Sequence, residues 1–251
     1  MMKIATGLAA ILLLSLLGEP RLAVGQQQQP RRDFGIPMLD LNEQAAFFVT
    51  VGREEGQYLG HPTTVLFADG KTMLVAYPTG HGRGDLRLRQ SPDGGKTWSD
   101  VNPRGMKVQE VPTLFLLQLP DGHERVVMIT CRVREGVLVW TWSDDQGSSW
   151  APLRTQKLDG VRGIIVALAA LWRVQGAADP EGRWRGVFHD FNYDNYTIDL
   201  VLRQDAADPR GWACEFEGLR RIEYATPAGR DRARRAGLCE AGVVHSPAGK
   251  R

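Results

Sequence analysis

The chain has 251 residues, and 31 Lys and Arg against 29 Asp and Glu leave a formal net charge of +2. That balance supplies no positive field for nucleic acid, and three cysteines are too few for a disulfide scaffold. There is no C-x-x-C, no H-E-x-x-H and no phosphate-cradling glycine loop, so the motifs imply no metal, no cofactor and no nucleic-acid partner.

The first predicted element is a leader. Lys3 precedes an apolar run from Ile4 to Leu17, 14 residues long and too short to span a bilayer comfortably. Ala23-Val24-Gly25 offers small residues for cleavage before Gln26. Residues 1–25 therefore read as a signal peptide, and the mature chain as secreted or periplasmic, with no membrane attachment after cleavage. A membrane anchor is the competing reading of the same run. Residues 26–42 read as a polar leader and residues 43–251 as one domain.

Strand signals dominate that domain. Thr63 to Tyr77 is two β-rich runs around Asp69-Gly70, a hairpin turn. Asp85 to Ser91 alternates apolar and polar residues, as a half-buried strand does. It leads into "SPDGGKTW", Ser91 to Trp98. The order then returns: Thr113 to Cys131 is a hairpin around Asp121-Gly122, and Val137 to Ser143 leads into "SDDQGSSW", Ser143 to Trp150. Asp93 follows Asp69 by 24 residues, and Asp145 follows Asp121 by 24. A third hairpin is expected to turn at Glu181-Gly182, with a worn copy of the eight-residue turn around Asp205 that closes late on Trp212. A fourth hairpin turn is expected at Ser246 to Lys250.

Each unit reads as four antiparallel strands, a to d, and tandem units of this size predict a β-propeller. A β-sandwich is the rival, but it does not explain turns locked at one offset. The repeated turn reads as a c–d clasp. Its Ser91, Asp93 and Gly95, or Ser143, Asp145 and Gly147, make the turn, while Trp98 or Trp150 packs beneath it. Repetition argues that these carboxylates are structural.

Ser-x-Asp-x-Gly-x-x-Trp is the Asp-box of sialidases and their relatives, and "LRQSPDGGKTWS" (Leu88 to Ser99) resembles the box-bearing strand and turn of that family. The stretches Gly60 to Lys71 and Cys239 to Lys250 are also similar to secreted sialidase-like proteins. The resemblance covers roughly residues 45 to 251 and implies an all-β, six-bladed propeller, represented here by about three blades and the start of a fourth. It implies cleavage of terminal sialic acid from glycans by an arginine clamp for the substrate carboxylate, an Asp acid/base and a Glu-activated Tyr nucleophile. In this chain the family's first clamp triplet is matched by Gly60-His61-Pro62, so His61 stands where Arg is usual. Asp85 ends the loop that carries the acid/base, and Glu240 matches the family's Glu. The remaining clamp and the Tyr are expected later than Arg251, so the chain by itself is expected to hydrolyse sialosides poorly.

Propeller topology places the b–c loops and the strand-a starts at one end, near the axis. That end would collect His61, His81, Arg83 and Asp85 from the first unit, and Glu110, Arg132 and Arg134 from the second. His189, Asp190 and Asn192 come from the third, and Glu240 leads toward the fourth. Asp85 and Glu240 are the catalytic candidates; His61, His81, Arg83, Arg132, His189 and Asp190 are the substrate-binding candidates. The expected partner is a glycan or glycoconjugate. The alternative function is a non-catalytic propeller that binds glycans or a protein.

Overall fold

The structure is a computed structural model of the chain. It describes residues 40–41, 44–101, 107–108, 110–174, 176 and 181–223. The expected signal peptide, nearly all of the leader, Cys239, Glu240 and the turn at Ser246 to Lys250 lie outside them. The chain divides into two units, Met1–Ala45 and Ala46–Arg251, and all strands belong to the second.

Among the described residues, three antiparallel sheets follow one another in chain order. The first runs β1 (Thr63–Leu66), β2 (Met73–Pro78), β3 (Gly84–Ser91) and β4 (Ser99–Asp100), with a short β5 (Lys107–Val108) added at the start of β3. The second runs β6 (Thr113–Gln118), β7 (Glu124–Arg132), β8 (Val137–Ser143) and β9 (Arg154–Lys157). The third runs β10 (Ile165–Arg173), β11 (Arg183–His189), β12 (Asn195–Gln204) and β13 (Trp212–Arg221). Among the described residues there is no α-helix, and none long and apolar enough to cross a membrane.

Strand alternation dictates how the sheets stack. On β7, Val126 and Met128 join Leu74, Ala76, Leu86 and Leu88 of the first sheet. Val127, Ile129 and Cys131 point the other way, toward Leu168, Phe188, Ile198 and Leu200 of the third. Both faces of the second sheet are therefore buried, which a two-layer sandwich does not allow for a middle sheet. The first strand of the middle sheet, β6, approaches the first strands of its neighbours, β1 and β10. Thr63 sews two of them together: its hydroxyl donates to the Pro112 carbonyl at 2.9 Å and accepts the Leu114 N–H at 3.2 Å. Sheets stacked face to face with strand a innermost are consecutive blades of a β-propeller.

The two eight-residue turns are near copies in three dimensions. Ser91 Oγ donates to Asp93 Oδ1 at 2.8 Å and accepts the Gly95 N–H at 2.8 Å. Asp93 also accepts the Thr97 N–H and hydroxyl at 2.9 and 2.7 Å, and the Trp98 indole donates to the Gly95 carbonyl at 2.9 Å. In the second turn Ser143, Asp145, Gly147, Ser149 and Trp150 repeat this set within about 0.1 Å. The Thr97 bonds pull the Asp93 carboxyl down to about 2. Burial raises the Asp145 carboxyl, but the bonds from Ser149 and Ser143 outweigh it and leave it lowered.

The third turn corrects the sequence expectation. The Asp205 carboxylate accepts the Ala207 N–H at 3.0 Å from the turn and otherwise reaches out to Arg154 of the second blade at 2.9 Å. Asp208 takes the clasp role instead, accepting the Arg210 and Trp212 N–H groups at 2.9 and 3.3 Å. The added residues between Asp205 and Trp212 move the turn's centre three positions along the chain.

Candidate functional site

The a–b turns and c–d turns share one end of the blades: the Gly94 N–H donates to Lys71 O at 2.8 Å, and the His123 ring meets Asp144 O at 2.7 Å. The b–c loops and the segments entering strand a share the other, where the Ile164 N–H donates to Val133 O at 2.9 Å. All described candidates from the sequence lie at or next to this second end.

In the first blade, the Thr79 N–H donates to Asp85 O at 3.0 Å, and the Asp85 N–H donates to Thr79 Oγ1 at 3.1 Å, closing a five-residue loop. His81 and Arg83 project from it, exposed, and the Asp85 side chain is exposed at its base. Gly82 adopts φ +76°, which favours glycine, and a Cβ there would sit 2.6 Å from Glu110 Oε1, so the carboxylate lies directly against this loop. Glu110 is held there by its own contacts: Oε1 accepts the Val111 N–H at 2.9 Å and its carbonyl accepts the Thr130 hydroxyl at 2.9 Å.

His61 meets His81. Nε2 of the first and Nδ1 of the second are 3.1 Å apart, with ring centroids 4.5 Å apart and planes at 75°. His61 adopts φ +53°, a left-handed conformation that a residue before proline strongly resists. Such strain is held where surrounding structure requires a side chain in one place. The Tyr58 ring lies 6.2 Å from His81. Sequence reasoning missed Tyr58, although an aromatic inside "GQYLG" just before His61 was a usable signal.

The other candidates are placed differently. Arg132 is about half exposed and pairs with Glu135 at 3.5 Å. His189 and Asp190 are each about 1% exposed. Asp190 Oδ1 accepts the Asn192 and Asp194 N–H groups at 2.8 and 3.0 Å, and Oδ2 accepts the Tyr196 hydroxyl at 3.3 Å. Burial, followed by the Asp190 charge, raises the Tyr196 phenol, so it stays protonated. This frame holds up Phe191 and Tyr193, which are 46% and 47% exposed, with Tyr193 stacked on His189 at 5.6 Å. Phe191 also packs on Gly163, where no larger residue fits. Cys131 and Cys214 are free buried thiols; burial pushes both up, Cys214 to about 12, so neither is a thiolate nucleophile at neutral pH.

Clefts lie elsewhere. One, between the a–b turns of the first two blades, is lined by Phe67, Leu116, His123 and Glu124. Its carboxylate is engaged in the fold: Glu124 accepts the Ala68 N–H at 3.1 and 3.0 Å. A second lies where residues 52–54 meet Tyr77, Arg87 and Arg89, and there Arg87 binds Glu54 at 2.7 and 3.1 Å. The histidine pair belongs to neither, so chemistry rather than concavity marks it out.

Comparison with protein-family models and with curated proteins finds no match. Among solved structures, the chain is similar to a leech intramolecular trans-sialidase complexed with 2,7-anhydro-Neu5Ac. The identity is 14% and the TM-score 0.43, over 61% of this chain and 22% of that one. It is also similar to NanB with optactamide, at 14% identity and a TM-score of 0.37, over 55% of this chain and 20% of that one. The match thus spans about a fifth of each neighbour's length.

Proposed function

We propose that the chain is part of an exported, sialidase-like glycoside hydrolase acting on a terminal sugar of glycans, sialic acid or a related residue. The observation that carries this reading is the meeting of His61 and His81, 3.1 Å apart, at the loop end of the first blade. Glycoside hydrolysis needs a proton delivered to the leaving oxygen and a carboxylate or its equivalent beside the sugar. A hydrogen-bonded imidazole pair holds a transferable proton, and Asp85 stands on the same loop. Glu240, outside the described residues, is the carboxylate assigned by resemblance. Export rests on the leader in residues 1–25.

The test is turnover of a panel of terminal glycosides, sialosides included, by this chain and by the longer protein it would belong to. The chain alone is expected to turn over sialosides poorly, and the longer protein to be active on at least one sugar. In the active form, His81→Gln and Glu240→Gln should each lower kcat by roughly 10²–10⁴-fold with melting temperature unchanged. A protein that binds glycans tightly yet hydrolyses none would establish the binding-module reading, which the exposed rings of Phe191 and Tyr193 favour.

A further inference from the structure

We infer that His61 and His81 form a chelating pair for a divalent transition-metal ion of the zinc, copper or nickel kind. The argument is geometric. Imidazole nitrogens bind such ions at about 2.0–2.1 Å. Two nitrogens 3.1 Å apart therefore subtend roughly 100° at a shared ion, between the square and tetrahedral angles. The ring centroids are 4.5 Å apart and the planes stand at 75°, so the two nitrogens come together without the rings stacking over each other.

The exchange balances without any net charge on the rings. In the metal-free pair, one ring donates its proton to the lone pair of the other. On binding, the donor ring moves that proton to its remote nitrogen. His61 Nε2 and His81 Nδ1 then each offer a lone pair, while His61 Nδ1 and His81 Nε2 carry the protons.

The pair is a built feature of the fold. His61 is held at φ +53° before Pro62, and Gly82, at φ +76°, brings the Glu110 carboxylate against the His81 loop. A cation there gains from that nearby negative charge. Among the described residues no group of three or more His, Cys, Asp or Glu is arranged to hold an ion. The remaining coordination positions would go to water or an incoming ligand, as in open metal sites. An ion held this way uses the lone pairs that proton transfer needs, so the two roles exclude each other on one molecule at one time. The metal inference does not depend on the hydrolase reading, and its test does not read turnover.

The probe is Cu²⁺ added to the purified full chain, followed by electron paramagnetic resonance and by competition for the dissociation constant. Superhyperfine splitting from two nitrogens is expected, with Zn²⁺ displacing the signal. His61→Asn and His81→Asn should each weaken binding by more than the roughly 10–100-fold that loss of an outer-shell partner costs. Asn tolerates the left-handed backbone at position 61. His123→Asn, at the opposite end of the blades, should bind as the unsubstituted chain does. If one variant fails to fold, the other decides alone, because loss of either imidazole ends chelation. Unweakened binding in the folded variants, equal weakening in His123→Asn, a one-nitrogen spectrum, or no binding by the unsubstituted chain would each overturn the inference.

Discussion

Arg125 of β7 meets Asp208 of the third blade's turn at 3.0 Å, with the arginine side chain 0% and the aspartate 3% exposed. The same guanidinium binds Asp144 at 2.7 and 2.6 Å, donates to the Trp212 carbonyl, and lies 5.2 Å over the Trp142 ring. The Trp142 indole donates to Asp208 Oδ2 at 2.8 Å. One buried cation thus holds two blades together at the end opposite the candidate site.

Removing that cation strands Asp208 in a desolvated place. Arg125→Met is expected to cost about 3–5 kcal/mol of stability, read as a lower urea midpoint at unchanged slope. Arg132→Met, which breaks an exposed pair with Glu135, should stay within about 0.5 kcal/mol. Equal losses for the two would show that the Arg125 cluster does not join the blades.

The turn and interface carboxylates set an acid limit. Burial raises Asp208, but the Arg210 N–H, the Trp142 indole and Arg125 outweigh it, and its carboxyl ends lowered. Asp199 is lowered in the same way by Arg185 and Arg183. Asp93 is lowered to about 2 by its turn. A carboxyl with a depressed folded value contributes stability that is complete above the unfolded value, about 3.9. That stability is lost as pH falls through the folded value. Melting temperature should therefore hold down to about pH 5 and fall between about pH 4 and about pH 2. Asp208→Asn should melt lower at pH 7 and show a shallower acid fall; an unchanged acid slope would remove Asp208 from the account.

Two glycines separate backbone strain from packing. Gly94 has φ +73° and no atom within 4 Å of a built Cβ, whereas Gly147 has φ +93° and would meet Leu74 Cδ1 at 2.9 Å. Gly94→Ala should cost about 1–2 kcal/mol. Gly147→Ala should cost about 1–3 kcal/mol more, because Leu74 is fully buried and cannot give way. Thermal melts of the pair measure the difference, and equal drops would contradict the close packing of the second turn on the first blade.

Asp145 is expected to matter for folding and not for chemistry. Asp145→Ala removes the bonds from Ser143 and Ser149 and should lower stability by about 1–2 kcal/mol. At a temperature where it remains folded, its kcat/KM for any glycoside turned over should equal that of the unsubstituted protein. A large kcat loss without a change in melting would reverse the structural assignment of the repeated turn.

The blade pattern was legible in the sequence because its causes are local. Alternation along β3, Asp-Gly at the hairpins and the Ser-Asp-Gly-Trp turn all act through residues within a few positions of one another. Ser91, Asp93 and Thr97 close their hydrogen bonds inside one turn, so eight letters determine the geometry wherever they recur. Asp205 shows the limit: added residues allowed two aspartates to compete for the third turn, and contact with Arg125 of another blade decided for Asp208. The meeting of His61 with His81 and the burial of Asp190 beneath an aromatic loop likewise belong to the tertiary structure. Topology named their end of the blades in advance, because strand direction alone sorts loops between two ends. Which of those side chains touch depends on loop closure at Thr79 and Asp85, on the close approach of Glu110 at Gly82, and on how each blade stacks upon the next. The loop closure is local, but the approach of Glu110 and the stacking of blades join segments distant in the chain, and no local run of residues encodes them.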